Sequence, residues 1–334
     1  SFLVRQALDD LQAGRSVVVL SPQRRVLERI EKGAGGAPVH WLDPQNLRRS
    51  AHLAIVSAGE WRAVDTETIA CLVPAFLADL GLDVQLPTVA SFAGQLIQAL
   101  AISAHDTGQA FAFTDLFQIS QSTQALRRFL ARTESATAGI GSELLAQLDS
   151  DMGYVQAVTV LSTLRAPLRP LESGPLHSLC QPPFLDARQV LGEASLLLVP
   201  MTNDDFPKHD HLLSSMLDLV LSRVLAGEEN LSLALHLHDP HLYRADGGRR
   251  WIELARKEQR LSLLLDVHDP CKYLRQLARG SETEVVFRCS PDLASTLIEE
   301  WNLPACPSDL SELPSGAAVA RLPGMVVTLK VGAE

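Results

Sequence analysis

Two segments of this chain decide its fold: LSLALHLHDP at Leu231–Pro240 and LSLLLDVHDP at Leu261–Pro270. Each is an apolar run of strand length that ends in His-Asp-Pro. Between them, Arg249–Gln259 (RRWIELARKEQ) has the periodicity of a helix. A strand, a helix and a strand at this spacing form a βαβ unit, whose strands are parallel. Because ligands of open parallel sheets bind beyond the carboxyl ends of the strands, Asp239 and Asp269 are expected at a site.

Similar alternations of strand and helix occur near both ends of the chain. Apolar runs bounded by turn residues predict the strands Ser16–Leu20, Val39–Leu42, Ser195–Val199, Glu284–Cys289 and Met325–Val331. Stretches with 3.6-residue periodicity predict the helices Phe2–Ala13, Pro22–Glu31, Asp210–Leu225, Cys271–Ala278 and Pro291–Trp301. We expect the last strand to run antiparallel at an edge. Together these elements predict an α/β fold built on one mostly parallel sheet.

The middle of the chain is predicted to be helical throughout. From about Val64 to about Ala194 there is no convincing strand, and periodic segments alternate with Gly and Pro. The predicted helices are Thr66–Leu80, Val89–Ile102, Thr123–Thr133 and Ser142–Leu164. An all-helical insertion of roughly 120 residues has the size of a small domain. The expected organisation is the first part of the α/β core at 1–63, the insertion at 64–194 and the second part of the core at 195–334.

Composition limits the classes of function. The chain has 334 residues, of which 46% are hydrophobic and 5% aromatic, and a formal net charge of −10. This charge argues against a surface coated for nucleic-acid binding, although a small basic channel is compatible with it. The five cysteines are widely spaced and include no CxxC pair, which favours reduced thiols over a zinc ribbon or a disulfide framework.

Hydropathy and the start of the chain bear on its location. No apolar run reaches the roughly 18 residues of a membrane span, and no signal peptide is recognisable. We therefore expect a cytoplasmic protein with no membrane span in this chain. Ser1 begins directly in a helical pattern without a methionine. From this we expect a fragment whose amino-terminal part, with any membrane association, is missing.

Several segments have amino-acid sequences that are typical of one protein family. FLVRQALDDLQAGRSVVVLSP (Phe2–Pro22), LALHLHDP (Leu233–Pro240), ELARKEQRLSLLLDVHDP (Glu253–Pro270) and TEVVFRCSPDLA (Thr283–Ala294) follow each other in this order. They resemble the P-loop ATPases that pump DNA, namely conjugative coupling proteins of the TraG/TraD type and their HerA and FtsK relatives. The resemblance implies a RecA-like P-loop NTPase core. The helical insertion is similar to the all-α domain that coupling proteins carry.

The resemblance assigns roles to individual residues. Asp239 occupies the Walker B position, where a carboxylate orients Mg²⁺ and its water, and Arg256 lies on the family's arginine-bearing helix as an arginine finger. His268 occupies the position of the glutamine sensor. Ser1 is the hydroxyl residue of a preceding Walker A loop or the residue after it, and Ser21, which ends the second strand, is expected to contact the nucleotide. The implied cofactors are ATP and Mg²⁺.

Departures from the family pattern bear on activity. The chain contains no G-x-x-x-x-G-K-[ST] motif, whose backbone N–H groups and lysine hold phosphates. Pro240 stands where the family has the glutamate that activates the attacking water, and His268 stands in place of the sensor glutamine. The carboxylate on the Mg²⁺ side is thus retained while the catalytic one is not. We therefore expect a degenerate site with weak or lost hydrolysis.

The resemblance also implies partners. The related ATPases form homo-oligomeric rings, in which the arginine of one subunit contacts ATP bound at the boundary with the next and DNA passes through the pore. Components of the conjugation or secretion machinery are implied partners as well. The leading interpretation is an ATPase-related module of a ring-forming DNA translocase of the coupling-protein type.

The candidate residues also have simpler interpretations. An Asp-Pro pair after a strand commonly forms a turn, and the order of the family segments is what favours a metal role for Asp239. Arg256 lies on a helix with other basic residues and fits a solvated face equally well. The arginine pairs at 24–25 and 48–49 are more simply surface residues than DNA contacts, since no aromatic residue is interleaved with them.

Two other classes of function remain open. In the first, the chain is a non-catalytic pseudo-ATPase scaffold that binds protein partners through its helical insertion. In the second, it is a metal-dependent hydrolase, because His236 and His238 face the same side of a strand near Asp239 and Asp269. No Glu is close in sequence to act as a base, which weakens the hydrolase hypothesis.

Overall fold

A computed structural model describes residues 2–62, 69, 72, 76, 87–133, 139–201, 207–227, 230–242, 249–266, 284–287, 289–303, 305–314, 317–322 and 325–330. The chain divides into two compact units, Leu3–His268 and Asp269–Glu334. Residues 294–313 of the second unit form a hydrophobic core separate from the cores of the first.

The first unit contains a five-stranded parallel sheet. Its strands are β1 (Ser16–Ser21), β2 (Val39–Trp41), β3 (Leu196–Pro200), β4 (Leu233–His238) and β5 (Leu261–Asp266), in the spatial order β2-β3-β1-β4-β5. Valine and leucine dominate these strands because a parallel sheet is covered on both faces. β1, β3 and β4 are buried over their whole length. The predicted α/β fold with a mostly parallel sheet is confirmed.

Helices pack on this sheet from two sides. The described helices of the first unit are α1 (Phe2–Gln12), α2 (Arg24–Gly33), α3 (Pro87–Thr107), α4 (Phe113–Ser120), α5 (Thr123–Thr133), α6 (Ile140–Asp149), α7 (Asp151–Leu168), α8 (Pro175–Leu179), α9 (Ala187–Gly192), α10 (Pro207–Gly227) and α11 (Arg249–Lys257). Val17 and Val19 of β1 belong to one core with Leu3 of α1, whereas Val18 and Leu20 belong to another. This alternation follows from the two-residue period of a strand. None of the described helices is both long and apolar enough to cross a bilayer.

The helical segment differs from its prediction in one helix break and in several additional helices. α3 and α5 confirm the helices expected at 89–102 and 123–133, and the helix expected at 66–80 lies almost entirely outside the described residues. The single helix predicted over Ser142–Leu164 is wrong, because the chain forms α6 and α7 with a break at Ser150. The Ser150 side chain accepts a hydrogen bond from the Gly153 N–H over 3.1 Å and thereby caps α7. α4, α8 and α9 are additional helices that the sequence pattern did not reveal.

The helical segment shares a core with the parallel sheet. Leu96 of α3, Phe113 of α4 and Leu161 of α7 belong to the same buried cluster as Leu197 and Leu235 of the sheet. The helices at 87–192 therefore lie in the same compact unit as the strands. The division of the chain at residues 63 and 194 stays a prediction.

The second unit contains an antiparallel sheet of three strands, β6 (Glu284–Val286), β7 (Ala317–Leu322) and β8 (Met325–Lys330), with helices α12 (Pro291–Trp301) and α13 (Pro307–Ser311). The prediction that β6 and β8 belong to the same sheet as the parallel strands is wrong, although β8 is antiparallel as expected. Their partner is β7, which the sequence pattern missed. A short apolar run does not specify its sheet, because strand pairing depends on contacts that are distant in sequence.

Candidate functional site

The carboxyl ends of three neighbouring strands bring polar residues together. Ser21 ends β1, His238 ends β4 and Asp266 ends β5, and these strands pair side by side in register. The backbone N–H of Asp239 donates to the carbonyl oxygen of Asp266 over 2.7 Å. This edge is where parallel sheets hold their ligands. Asp239 thus lies where the sequence predicted a site, whereas Asp269 lies outside the described residues.

Asp239 has a backbone conformation that residues with a Cβ adopt rarely. Its φ is +50°, in the left-handed region, and only 6% of the residue is exposed. This conformation costs roughly 1–2 kcal/mol for most L-residues, although Asp tolerates it better than most. Pro240 follows directly and begins a short 3-10 turn at Pro240–Leu242. Unfavourable backbone conformations of this kind concentrate at active sites and ligand clamps, which supports a functional role for Asp239.

A hydrogen bond and a longer polar contact connect β1 to Asp239. The Oγ of Ser21 lies 2.7 Å from Nδ1 of His238. The Nε2 of His238 lies 3.5 Å from Oδ2 of Asp239. Ser21 and His238 are 0% and 2% exposed. Ser21, predicted to contact a nucleotide, therefore has a buried hydroxyl that is already engaged with His238.

A second buried contact fixes the position of α1 along the sheet. The Nε2 of His236 in β4 lies 2.8 Å from Oδ2 of Asp10 in α1. α1 turns into β1 at Gly14 and therefore runs antiparallel to the strands. From Asp10 back to Leu3 the helix rises about 10 Å, and from His236 to Asp239 the strand advances about 10 Å. The first turn of α1 is thus level with Asp239 at the carboxyl edge of the sheet.

The charge of Asp10 is stabilised in place. Burial raises the pKa of the Asp10 carboxyl, but the hydrogen bond and charge of His236 and the charge of Arg15 outweigh burial, so that the pKa lies below its usual value. Arg15 Nη1 is 3.2 Å from Asp10 Oδ1. The Nδ1 of His236 is buried and has no hydrogen-bond partner within the described part of the chain. Asp10 and His236 therefore hold α1 on β4 through a charged contact.

The other predicted site residues do not meet Asp239 in the described structure. Ser1 and His268 lie outside the described residues. Arg256 is exposed in the last turn of α11. The chain then reaches Arg260, whose carbonyl accepts a hydrogen bond from the N–H of Leu233 at the start of β4. β4 separates Leu233 from Asp239 by about 20 Å. Arg256 therefore lies toward the amino ends of the strands, whereas Asp239 lies at their carboxyl ends.

Two of the arginines weighed as DNA contacts are engaged within the protein. Arg24 Nη2 lies 2.6 Å from Oδ2 of Asp43, which is fully buried, and Arg49 forms an ion pair with Glu31. The two guanidinium groups lie 5.6 Å and 4.3 Å from the centre of the Trp41 ring. Such cation–π contacts and ion pairs hold the end of β2 in place. They favour the structural interpretation of these arginines.

Sequence reasoning missed a buried ion pair in the first unit. Arg223 of α10 lies 2.6 Å from Glu60, and the two side chains are 2% and 1% exposed. Glu60 also accepts hydrogen bonds from the backbone N–H groups of Ser57 and Arg188, over 2.7 Å and 3.2 Å. A signal was available, because Arg223 lies in an otherwise apolar helical run and a charge there requires a partner.

The hypothesis of a metal-dependent hydrolase requires a cluster of metal ligands, and the described part of the chain contains none. No group of three or more His, Cys, Asp or Glu side chains lies close enough to hold a metal ion among the described residues. His236 contacts Asp10 and His238 contacts Ser21, so the two histidines have different partners. The geometry therefore does not support a histidine-bound zinc site at this strand.

Comparison with known proteins identifies the fold. No protein-family model and no curated protein matches this chain. Among solved structures, the plasmid coupling protein TrwB in complex with a non-hydrolysable GTP analogue matches 97% of this chain and 86% of its own, with a TM-score of 0.61 and 13% identity. The chain has the TrwB fold.

Further solved structures agree with this result. TrwB in complex with ADP and Mg²⁺ matches 98% of this chain and 86% of its own, with a TM-score of 0.58 and 15% identity. VirB4 of Thermoanaerobacter pseudethanolicus matches 98% of this chain and 84% of its own, with a TM-score of 0.56 and 11% identity. At these identities the likeness concerns the fold. The RecA-like α/β architecture that the sequence resemblance implied is confirmed.

Proposed function

We propose that this chain is a nucleotide-binding, ATPase-related module of a ring-forming DNA translocase of the conjugative coupling type. One observation carries the proposal: the first turn of α1 and the buried Asp239 lie at the same height, at the carboxyl ends of the parallel strands. A helix N-terminus favours an anion, and an Asp carboxylate favours a hard cation such as Mg²⁺. A magnesium nucleotide presents both charges. TrwB, which shares the fold, was solved with ADP and Mg²⁺.

The residues at this edge fit the proposed ligands. The first turn of α1 contains no acidic residue, so no carboxylate of this turn would repel a phosphate at the helix N-terminus. Asp239 supplies an oxygen donor for Mg²⁺, which would neutralise charge on the phosphate oxygens. We propose that Ser1 contacts a phosphate. Ser21 is proposed to act on the site indirectly, through His238, because its hydroxyl is bonded to His238.

We propose that hydrolysis is weak or absent. The attacking water of an ATPase needs a residue that orients it or accepts its proton. Pro240, which follows Asp239, has no side-chain acceptor. His268 is proposed to occupy the sensor position in place of an amide. The chain would then bind a nucleotide but hydrolyse it slowly or not at all.

The proposed ring rests on the position of Arg256. Arg256 is exposed and lies toward the opposite edge of the sheet from Asp239 of the same chain. It is therefore proposed to contact the nucleotide of a neighbouring copy, where a guanidinium would neutralise γ-phosphate charge. The proposal includes DNA in the pore of a homo-oligomer, partners from the conjugation or secretion machinery, and a cytoplasmic location.

The test is nucleotide binding by the full-length protein with and without Mg²⁺, followed by DNA-stimulated ATP turnover. We expect Mg²⁺ to strengthen binding of ADP and ATP, and Asp239→Ala to abolish that effect. Asp9→Ala removes an exposed carboxylate of α1 and serves as the control. Absence of any nucleotide affinity would contradict the proposal. Motor-like turnover that Asp239→Ala abolishes would contradict only the inactive site.

The pseudo-ATPase scaffold is a second candidate, favoured by an apolar surface on α7. Met152, Val155 and Val158 are 73%, 61% and 42% exposed and recur at helical spacing. Exposed apolar groups clustered in this way commonly mark protein-binding surfaces. The scaffold predicts that Val155→Glu abolishes partner binding while the protein binds no nucleotide. Measurable nucleotide affinity together with unaltered partner binding by Val155→Glu would exclude it.

A further inference from the structure

His238 lies between Ser21 and Asp239 in a buried part of the site. Its Nδ1 is 2.7 Å from Ser21 Oγ and its Nε2 is 3.5 Å from Asp239 Oδ2. Ser21, His238 and Asp239 are 0%, 2% and 6% exposed. An imidazole between a hydroxyl and a carboxylate in such a place is restrained from both sides.

The surrounding hydrogen bonds assign a direction to these contacts. The backbone N–H of Gln23 donates to Ser21 Oγ over 3.0 Å. The hydroxyl proton of Ser21 has two acceptors in reach, His238 Nδ1 at 2.7 Å and the Gln23 carbonyl at 3.5 Å, and the shorter contact is the better hydrogen bond. Nδ1 then accepts, so the neutral imidazole carries its proton on Nε2. That proton is on the nitrogen nearest the Asp239 carboxylate.

We propose that His238 is a positioning residue for the Asp239 carboxylate and that Ser21 selects the imidazole tautomer that performs this task. The inference rests on the Mg²⁺ role proposed for Asp239. The hydrogen bond from the Asp239 N–H to the Asp266 carbonyl fixes the backbone of Asp239, but the direction of its carboxylate depends on side-chain contacts. Partners of this kind hold metal ligands in place, and their loss typically lowers metal affinity about 10- to 100-fold.

A serine hydrolase would use the same three residue types. That interpretation fails on access, because Ser21 is 0% exposed and its oxygen is engaged by both Gln23 and His238. An acyl substrate has no route to a fully buried hydroxyl. The arrangement is therefore assigned to positioning.

The experiment measures Mg²⁺ affinity in the presence of ADP, and ADP affinity without metal, for matched variants of the full-length protein. His238→Gln places an amide nitrogen near the former Nε2, whereas His238→Asn places one near the former Nδ1. His238→Ala removes both, and Ser21→Ala removes the tautomer selection. His40→Gln is the control, since it changes a half-buried histidine of β2, which two strands of the sheet separate from β4.

We expect His238→Ala and His238→Asn to lower Mg²⁺ affinity about 10- to 100-fold, with metal-free ADP affinity unchanged. His238→Gln should recover most of the loss, Ser21→Ala should lie between, and the control His40→Gln should retain wild-type Mg²⁺ affinity. Wild-type Mg²⁺ affinity in His238→Ala, or a His238→Gln variant as weak as His238→Ala, would overturn the positioning role. If Asp239→Ala also retains wild-type Mg²⁺ affinity, the proposed function fails at this residue and the positioning role fails with it.

Discussion

Replacing Arg223 by Met tests the buried ion pair that joins α10 to the segment after β2. The guanidinium of Arg223 and the carboxylate of Glu60 are 2.6 Å apart and almost inaccessible to water. Met has a similar length and no charge, so the variant leaves the Glu60 carboxylate buried without this cation. The two backbone donors to Glu60, from Ser57 and Arg188, remain in the variant.

The expected loss in the free energy of unfolding follows from this geometry. Removing one partner of a buried pair typically costs about 3–5 kcal/mol. The two remaining backbone donors place the expected value near the lower end, at about 3 kcal/mol. In the double variant Glu60→Gln/Arg223→Met no charge is stranded, and the Gln oxygen still accepts from Ser57. We expect it to recover about 2 kcal/mol relative to Arg223→Met, so the coupling between the two sites, which also contains the cost of Glu60→Gln alone, is at least about 2 kcal/mol.

The assay is equilibrium urea unfolding followed by tryptophan fluorescence. With an m-value of about 3 kcal/mol/M, the midpoint of Arg223→Met should fall by about 1 M. Arg127→Met is the matched control, because Arg127 and Asp149 form an exposed pair at 2.7 Å and should contribute less than about 1 kcal/mol. A loss below about 1 kcal/mol for Arg223→Met, or a double variant less stable than both single variants, would refute the reasoning.

Further predictions concern acid stability, thiol reactivity and hydrolysis. Because the folded-state pKa of Asp10 is lowered, its stabilising effect is complete above the unfolded-state pKa and is lost as pH falls through the folded-state pKa. Between about pH 5 and about pH 2, wild type should therefore lose more free energy of unfolding than Asp10→Asn. If the free energies from urea unfolding fell equally with pH in both proteins, the Asp10–His236 contact would be contradicted. Burial raises the pKa of the Cys180 thiol to about 12, so a maleimide should modify Cys180 only after unfolding while exposed Cys306 reacts in the native protein. Mass spectrometry showing native modification of Cys180 would refute its burial. Pro240→Glu supplies the carboxylate that the proposed site lacks, and should raise DNA-stimulated ATP turnover at least about tenfold; unchanged turnover would show that another feature limits hydrolysis.

Much of the parallel sheet could be predicted because its strands are read from local composition. β1 and β3 are Val/Leu runs, which a strand buried on both faces favours, and in β4 leucine alternates with Ala and His. β6 and β8 were found as strands and assigned to the wrong sheet, because their partner β7 was missed: half of its residues are alanine, which is depleted in strands. The break at Ser150 was missed because both flanking segments keep helical periodicity, and a side-chain cap rather than a change of composition separates them.

By itself, the sequence determined the α/β class, the strands that meet at the site and the place of Asp239 at a strand end, since each depends on residues within one short segment. Only the tertiary structure decided what surrounds Asp239. His238 meets Ser21 across 217 positions and His236 meets Asp10 across 226 positions of the chain. Those contacts exist only once β1 and β4 pair and α1 packs on them. Their physical origin is non-local packing, for which no periodicity in the sequence is a signal.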